Sequence, residues 1–264
     1  MRAALLAEHR KLVSTRLWWI LLLGMGVYLA FIGAVMAFSF TLTGEDAGTP
    51  PLAGRDAATA TYSLVNAIGY VFPLVVGSLS VTTEFRHRTI TQTLLVEPRR
   101  NVVVSAKLLA TVPVGLALGL VGVFALVATS APVLAWRGDG AYLSDPEVIA
   151  VLVLGVVTTA LWAVIGAAFG MLLTNQVAAV VVILAFTQLV EPIARTALGA
   201  VDALAGASAY LPGAAADALI GASLFGEIAG IDLLPRWGGA LVLLAYAAAF
   251  ALAGRLTTFR RDIG

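Results

Sequence analysis

Long apolar runs separated by clustered charges are the feature that most limits how this chain can fold. The run from Leu17 to Phe40 contains no charged residue. About 20 such residues form a helix that crosses the roughly 30 Å hydrocarbon layer of a bilayer. Lipid offers the backbone no hydrogen-bond partner, so apolar runs cross it only as helices or as a closed barrel. No run here alternates polar and apolar residues as barrel strands do. The chain is therefore expected to be an all-α membrane protein.

Six apolar runs are predicted to cross the membrane, within one domain that covers residues 1–264. They lie at about 17–40, 60–83, 104–130, 148–173, 176–190 and 237–256. The low charge content agrees with this prediction, since 12% of the residues are charged, against about 25% in soluble domains. The first run is too long for the core of a signal peptide, so we expect it to remain as span one.

Basic residues divide unequally between the two sides of these spans. Twelve of the sixteen Lys and Arg residues fall on the side that holds both termini. The other side holds Arg55, Arg137, Arg195 and Arg236. Because Lys and Arg near spans are retained in the cytoplasm, we expect both termini to face the cytoplasm and the protein to lie in the plasma (inner) membrane.

Residues 1–16 precede the first span and are predicted to form an amphipathic helix. Their larger apolar side chains share one stripe of a helical wheel: Leu5, Leu6, Leu12 and Val13. Glu8 and Lys11 fall outside that stripe. A short basic helix of this kind lies flat among the lipid headgroups. The alternative is a frayed, charged leader.

The segment 84–107, between spans two and three, is predicted to contain a short helix. Thr89 and Gln92 have the spacing of a capping box, which satisfies two backbone donors and starts a helix. Pro98 disfavours helical geometry at the residue before it, so the helix must end close by. The predicted helix is Ile90–Val96.

This short helix is expected to need a partner. Ile90 and Leu94 are four residues apart and therefore lie on one face. An exposed apolar face on a short helix in water needs a partner, either the lipid surface or another protein. Four arginines flank the helix: Arg86, Arg88, Arg99 and Arg100. A solvated loop on the cytoplasmic side is the alternative, and it explains the arginines but not a capped helix with an apolar face.

The same residues resemble the first cytoplasmic loop of ABC-2 type transporter permeases. The stretch reads Glu84-Phe85-Arg86-His87-Arg88-Thr89-Ile90-Thr91-Gln92-Thr93-Leu94-Leu95-Val96-Glu97-Pro98-Arg99-Arg100 and is followed by Lys107. In that family an acidic residue, a Gly-Thr pair, a Leu-rich turn, a Pro, an Arg and then a Lys recur in this order. Arg88 stands where many members have Gly. The close match covers about twenty residues, and the six-span layout extends it loosely over the chain.

The resemblance implies a coupling helix that docks onto a separate ATP-binding cassette ATPase. Residues implied to contact that ATPase are Glu84, Arg86, Arg88, Thr89, Ile90, Leu94 and Pro98. A second copy or a related permease would complete the pathway, and the pair would export its substrate. The chain lacks a G-x-x-x-x-G-K-[ST] loop, so ATP and Mg are expected on the partner. No catalytic residue, metal, cofactor or nucleic-acid partner is predicted for this chain.

The segment 191–236 is predicted to be a re-entrant outer gate. Span five, at 176–190, would be only about 22 Å long at 1.5 Å per residue, too short to cross. The residues after it are mostly apolar, and non-helical backbone at membrane depth is tolerated when buried in protein or lining a cavity. We predict helical pieces near 192–207 and 213–228. The gate residues are Glu191, Pro212 and Gly213, by resemblance to family members with such a gate; an exposed amphipathic loop is the alternative.

Two polar residues within spans are candidates for lining the pathway. Asn66 and Gln188 belong to spans two and five, which line it in the family that the chain resembles. An ordinary hydrogen bond between neighbouring helices is the alternative for each. Two small-residue pairs, Gly115-x-x-x-Gly119 and Gly166-x-x-x-Gly170, permit close packing of helices.

Two other functions compete with the exporter. An ATP-independent carrier or channel would need buried ion sites, often within inverted repeats. An intramembrane enzyme would need ionisable groups that converge at depth. The chain has no Cys and two His residues, and no paired acids are predicted inside a span. The enzyme is therefore the weaker alternative.

Overall fold

The structure, a computed structural model, describes residues 1–41, 52–138, 140–224 and 233–259 of the chain. Within those ranges the secondary structure is helical and contains no strand. In the part of the chain that the structure describes, six helices are long and apolar enough to cross a membrane: Leu17–Phe40, Gly54–Arg86, Arg100–Arg137, Pro146–Leu172, Gln176–Gly199 and Arg236–Thr257. The predicted all-α, multi-pass membrane fold is therefore confirmed.

The helices of the described ranges are numbered in chain order. The first seven are α1 (Arg2–Ser14), α2 (Leu17–Phe40), α3 (Gly54–Tyr62), α4 (Leu64–Ala67), α5 (Val71–Arg86), α6 (Ile90–Val96) and α7 (Arg100–Arg137). The next six are α8 (Pro146–Leu172), α9 (Gln176–Ala185), α10 (Glu191–Gly199), α11 (Asp202–Ser208), α12 (Pro212–Ile220) and α13 (Arg236–Thr257). A π-helical turn, Phe186–Val190, joins α9 to α10. Span two is thus built from α3, α4 and α5, and its backbone departs from a regular helix around Gly69.

Helix α6 has the predicted bounds, but the predicted capping box is not formed. The Thr89 side chain does not cap α6, and its hydroxyl lies 3.5 Å from the Glu84 carbonyl oxygen. Instead α5 ends in a Schellman motif, in which Thr89 N–H bonds to Glu84 O and Arg88 N–H bonds to Phe85 O. Arg88 takes the left-handed conformation that this motif requires, with φ of 56°. Glycine adopts that conformation at least cost, which fits the Gly found there in the ABC-2 type permeases.

The prediction that span five ends at Val190 is wrong. The helical path continues through Pro192 to Gly199, giving a span of 24 residues, about 36 Å long. Proline normally breaks a helix because it lacks an N–H and its ring collides with the carbonyl four residues earlier. Here the π-helical turn widens the backbone, and Glu191 N–H bonds five residues back to Phe186 O.

The two predicted gate helices also differ from the observed ones. The first, near 192–207, is divided in two, because α10 ends at Gly199 and α11 begins at Asp202. The second, near 213–228, ends early: α12 stops before Gly221, whose φ of 84° terminates it. Residues 225–228 of that prediction lie outside the described residues. Every residue of α12 is buried, mainly against α8 and α13.

Close glycine contacts hold α5, α7 and α8 together at the centre of the bundle. A Cβ on Gly115 would lie 2.6 Å from Ala160 Cα, so α7 and α8 touch through their backbones. A Cβ on Gly166 would lie 2.2 Å from the Leu74 carbonyl oxygen, so α8 and α5 do the same. The predicted role of the small-residue pairs in helix packing is confirmed.

Segments predicted to share one side of the membrane meet at one end of the bundle. Helix α1 packs on α7, Arg86 donates to Gln176 Oε1 at 3.2 Å, and Arg100 donates to the Phe259 carbonyl oxygen. At the opposite end, Arg55 pairs with Glu147 at 2.9 Å. Arg260 and Arg261, which the prediction placed at the first end, lie outside the described residues. That this end faces the cytoplasm stays a prediction.

Candidate functional site

Four charged side chains at the first end of the bundle form a compact cluster, which we call the coupling cluster: Glu8, Lys11, Glu84 and Lys107. Lys107 Nζ lies 2.6 Å from Glu8 Oε2 and 2.7 Å from Glu84 Oε1. Lys11 Nζ contacts the same two carboxylates, at 2.6 and 3.1 Å. Two cations and two anions thus neutralise each other and tie α1 to α5 and α7.

The coupling cluster also holds the short helix α6. Lys11 Nζ donates to Thr93 Oγ1 at 2.9 Å, and Thr93 Oγ1 lies 3.4 Å from Glu84 Oε2. A displacement of α6 must therefore move or break hydrogen bonds of Lys11. Beside the cluster lies a cavity of about 770 Å³, which is lined by residues of α1, α5, α6 and α7.

Lys11 has a raised pKa in the folded protein. Burial acts to lower its pKa, but the hydrogen bond to Glu8 and the charges of Glu8 and Glu84 outweigh burial. The pKa therefore stays above its ordinary value of 10.5. A cation with a raised pKa adds stability that is fully present below its ordinary pKa and is lost as the pH rises through the raised value.

This linkage gives a testable pH dependence. Wild type is expected to unfold at a higher temperature than Lys11→Met, by a constant difference from neutral pH up to about 10.5. The difference should shrink at higher pH, where Lys11 loses its proton. Arg10→Met, an exposed neighbour on α1, is the control and should show no such pH dependence. A Lys11 difference that persisted at high pH would contradict the assigned contacts.

The expectation that Ile90 and Leu94 form an exposed face is wrong. Ile90 is only 1% exposed and packs in a cluster with Val81, Val103 and Met171, and Leu94 is partly buried against the same cluster. The apolar side chains that α6 does expose are Leu95, at 79%, and Val96, at 88%. The exposed apolar surface of α6 is therefore formed by Leu95 and Val96, which follow Leu94 in the sequence.

The other residues implied to contact the ATPase divide into two groups. Glu84 is 7% exposed and is held in the coupling cluster, so its side chain is not placed for direct contact with a partner. The remaining four are exposed, as the prediction requires: Arg86, Arg88, Thr89 and Pro98.

A second polar cluster is buried inside the bundle, and we call it the gate cluster: Asn66, Tyr70, Glu191, Arg195 and Asp217. Arg195 Nη1 lies 2.7 Å from Asp217 Oδ2, and Arg195 Nη2 lies 3.3 Å from Glu191 Oε1. Asn66 Nδ2 donates to Asp217 Oδ1 at 2.5 Å. All five side chains are buried, so the cluster fastens α12 to span two and to span five.

Of the three predicted gate residues, the structure joins Glu191 and Gly213 directly. Gly213 N–H donates to Glu191 Oε1 at 2.5 Å. A Cβ at Gly213 would lie 2.3 Å from Arg195 Nη2, so glycine is required for this close approach. Pro212 is buried beside them as the first residue of α12.

The two predicted pathway residues have different surroundings. Asn66 is buried, and its Oδ1 accepts from Trp162 Nε1 at 2.9 Å. Gln188 is exposed on the π-helical turn, where its Nε2 lies 3.4 Å from Thr187 Oγ1. Within one subunit the two side chains therefore do not form a shared polar lining.

The sequence predicted no paired acids inside a span. The gate cluster holds two carboxyl groups around one guanidinium, but only Glu191 lies in a span, since Asp217 belongs to α12. Sequence reasoning missed Tyr70, Arg195 and Asp217. A signal was present: Glu191 and Arg195 are four residues apart, and Asp217 is the only charge between residues 203 and 225. Among the described residues, no group of three or more His, Cys, Asp or Glu side chains is placed to hold a metal ion.

Comparisons with protein-family models and with curated proteins found no match. Support for a function therefore comes from the residues of this chain, their geometry and the local resemblance at residues 84–107.

Proposed function

We propose that this chain is the membrane-spanning permease subunit of an ATP-driven exporter of the ABC-2 type. A separate ATP-binding cassette subunit would bind ATP and Mg, and a second copy or related permease would complete the pathway in the plasma membrane. The observation that carries this proposal is α6, a helix between two spans that is anchored inside the chain yet exposes Leu95 and Val96.

The surroundings of these two side chains favour a protein partner. Leu95 and Val96 lie between spans two and three rather than within a span, and exposed arginines flank them, including Arg86, Arg88 and Arg99. Apolar side chains ringed by charged ones are typical of a protein interface, in which a small apolar core is surrounded by a polar rim.

The coupling cluster supplies a route from such a partner into the bundle. A partner that moves α6 also moves Thr93 and its contact with Lys11, and Lys11 shares both carboxylates with Lys107. Helices α1, α5 and α7 are thereby linked to α6 by charge-assisted hydrogen bonds, which are among the stronger polar contacts in proteins.

Acidic substitutions at the exposed end of α6 test the proposal. Leu95→Asp with Val96→Asp is expected to weaken binding of the ATPase subunit at least tenfold, which is about 1.4 kcal/mol, because it places two charges in the apolar core of the interface. Binding is measured by titrating the purified ATPase into the chain reconstituted in lipid nanodiscs. Leu143→Asp is the matched control, since Leu143 is also an exposed apolar residue but belongs to the opposite end of the bundle. Equal affinity for wild type and the double variant would exclude coupling through this surface.

The gate cluster favours an ATP-independent carrier as a second candidate. Ionisable groups buried within membrane spans often mark ion pathways or coupling-ion sites, and Glu191 and Arg195 are buried within span five. The two candidates differ in their energy source. Transport by the purified chain alone, driven by a proton gradient across vesicles, would favour the carrier, whereas transport that requires the ATPase and ATP would favour the exporter.

A further inference from the structure

The Tyr70 hydroxyl stands between two oxygen atoms and has a single proton to donate. Its oxygen lies 3.1 Å from the Thr187 carbonyl oxygen and 3.1 Å from Glu191 Oε2. A carbonyl oxygen only accepts, and an ionised carboxylate also only accepts. Tyr70 can therefore donate to one of these oxygens, and the other contact needs a proton from elsewhere.

We infer that the Tyr70 hydroxyl donates its proton to the Thr187 carbonyl oxygen. In the π-helical turn, Glu191 N–H bonds five residues back to Phe186 O. The next nitrogen along, which would serve Thr187 O in the same pattern, belongs to Pro192 and carries no proton. A buried carbonyl oxygen without a donor is costly, and most of all where lipid replaces water. The Tyr70 hydroxyl supplies the donor that the Thr187 carbonyl oxygen lacks.

With the Tyr70 proton used, Glu191 Oε2 faces an oxygen atom that can only accept from it. That contact is a hydrogen bond only when Glu191 itself carries a proton. The other oxygen, Oε1, accepts from Gly213 N–H at 2.5 Å and from Arg195 Nη2 at 3.3 Å, and the carbonyl oxygen of a neutral acid can accept both. We propose that Glu191 is a proton-binding site, and that it is protonated when α12 is seated against Tyr70 and the π-helical turn as it is here.

The charges around Glu191 agree with a neutral side chain there. Arg195 is 2.7 Å from Asp217 but 3.3 Å from Glu191. Both oxygens of Asp217 accept from further donors, Asn66 Nδ2 and Ser223 Oγ, as expected of the ionised partner. Other ionisable groups on the packed elements are Tyr70 before α5, Tyr246 of α13, which is within electrostatic reach of Glu191, and Arg236 of α13, which lies against Gly221.

Loss of the proton would reorganise these contacts. An ionised Glu191 competes with Thr187 for the Tyr70 proton and with Asp217 for Arg195. The second competition weakens the ion pair between Arg195 and Asp217, which fastens α12 to span five. Through that ion pair, proton binding to Glu191 favours the seated position of α12. If α12 is part of an outer gate, opening is accompanied by proton release; this last step rests on the proposed function, whereas the protonation itself does not.

Infrared spectroscopy tests the protonation directly. The chain is purified without any ATPase, reconstituted in lipid nanodiscs at neutral pH and labelled with ¹³C-glutamate. We expect a label-sensitive C=O stretching band of a protonated carboxylic acid, which Glu191→Gln removes. Tyr70→Phe should shift the band, because the acid proton loses its acceptor. A wild-type spectrum without the band, or a band that persists in Glu191→Gln, would overturn the proposal.

Thermal unfolding of two variants supplies a second measurement, and it also shows whether a variant fails to fold. Glutamine reproduces a protonated Glu191, because its amide N–H donates to Tyr70 and its oxygen accepts from Gly213. Glu191→Gln is therefore expected to unfold within about 2 °C of wild type. Asp217→Asn should unfold at least about 5 °C lower, because either orientation of its amide points an N–H group at a donor. A Glu191→Gln loss as large as that of Asp217→Asn would show that Glu191 is ionised. Neither measurement involves the ATPase, so the result is independent of the coupling test on α6.

Discussion

Replacing Lys107 by Met is expected to lower the free energy of unfolding by about 3–5 kcal/mol, the usual cost of removing one partner of a buried ion pair. Lys107 is 2% exposed and holds the carboxylates of Glu8 and Glu84 at 2.6 and 2.7 Å. Methionine fills the space of the aliphatic stem but leaves two buried carboxylates with Lys11 as their one remaining counter-charge in the coupling cluster. The loss is measured by SDS-induced unfolding in mixed micelles.

Two further variants separate charge from packing. Adding Glu84→Gln to Lys107→Met removes the surplus negative charge, so it should recover at least half of the lost stability. Arg99→Met breaks the exposed pair with Glu97, 2.8 Å apart, and is expected to leave the free energy of unfolding almost unchanged, because exposed ion pairs contribute little. If Lys107→Met cost no more than Arg99→Met, water would have to reach the cluster, and a buried link between α1 and α7 would be excluded.

The residues of the coupling cluster were visible in the sequence, but their meeting was not. Glu8, Glu84 and Lys107 come from three segments far apart in the chain, and each by itself fits an ordinary charged segment beside a span. Lys107 was expected at the end of a cytoplasmic loop, whereas it lies within α7 and faces the bundle. Only the packing of α1 on α7 brings the four charges together, and no local pattern encodes that contact.

Span positions were more predictable than breaks within the membrane. Leu17–Phe40 matches its predicted bounds because charged residues precede it and a polar stretch follows it. Span five was predicted to be too short because a proline such as Pro192 normally ends a helix. No pattern in the sequence indicates the π-helical turn that accommodates this proline. The ion pairs of the gate cluster were missed for the same reason, because a span that stopped at Val190 would leave Glu191 and Arg195 in the re-entrant segment, outside span five.

Helix α5 connects the two polar clusters. Tyr70 of the gate cluster immediately precedes α5, and Glu84 of the coupling cluster lies in its last turn. The two residues are 14 positions apart, about 21 Å along a helix. A movement at α6 therefore reaches the gate cluster most directly if α5 shifts as one body against α8. Gly77 lies midway along α5, at its closest contact with α8.

Gly77→Ala is accordingly expected to lower the free energy of unfolding by about 3 kcal/mol, the upper part of the usual range for overpacking. A Cβ at Gly77 would lie 2.0 Å from the Ala163 carbonyl oxygen and 2.8 Å from Ala167 N. Both are backbone atoms, so α5 and α8 must separate to relieve the collision. Gly24→Ala in α2 is the matched control. Its Cβ would meet Phe72 Cε1 at an ordinary 3.6 Å, so stability should be unchanged or slightly higher. The free energy of unfolding of each variant is measured by SDS-induced unfolding. Equal stability of the two variants would contradict the backbone contact between α5 and α8.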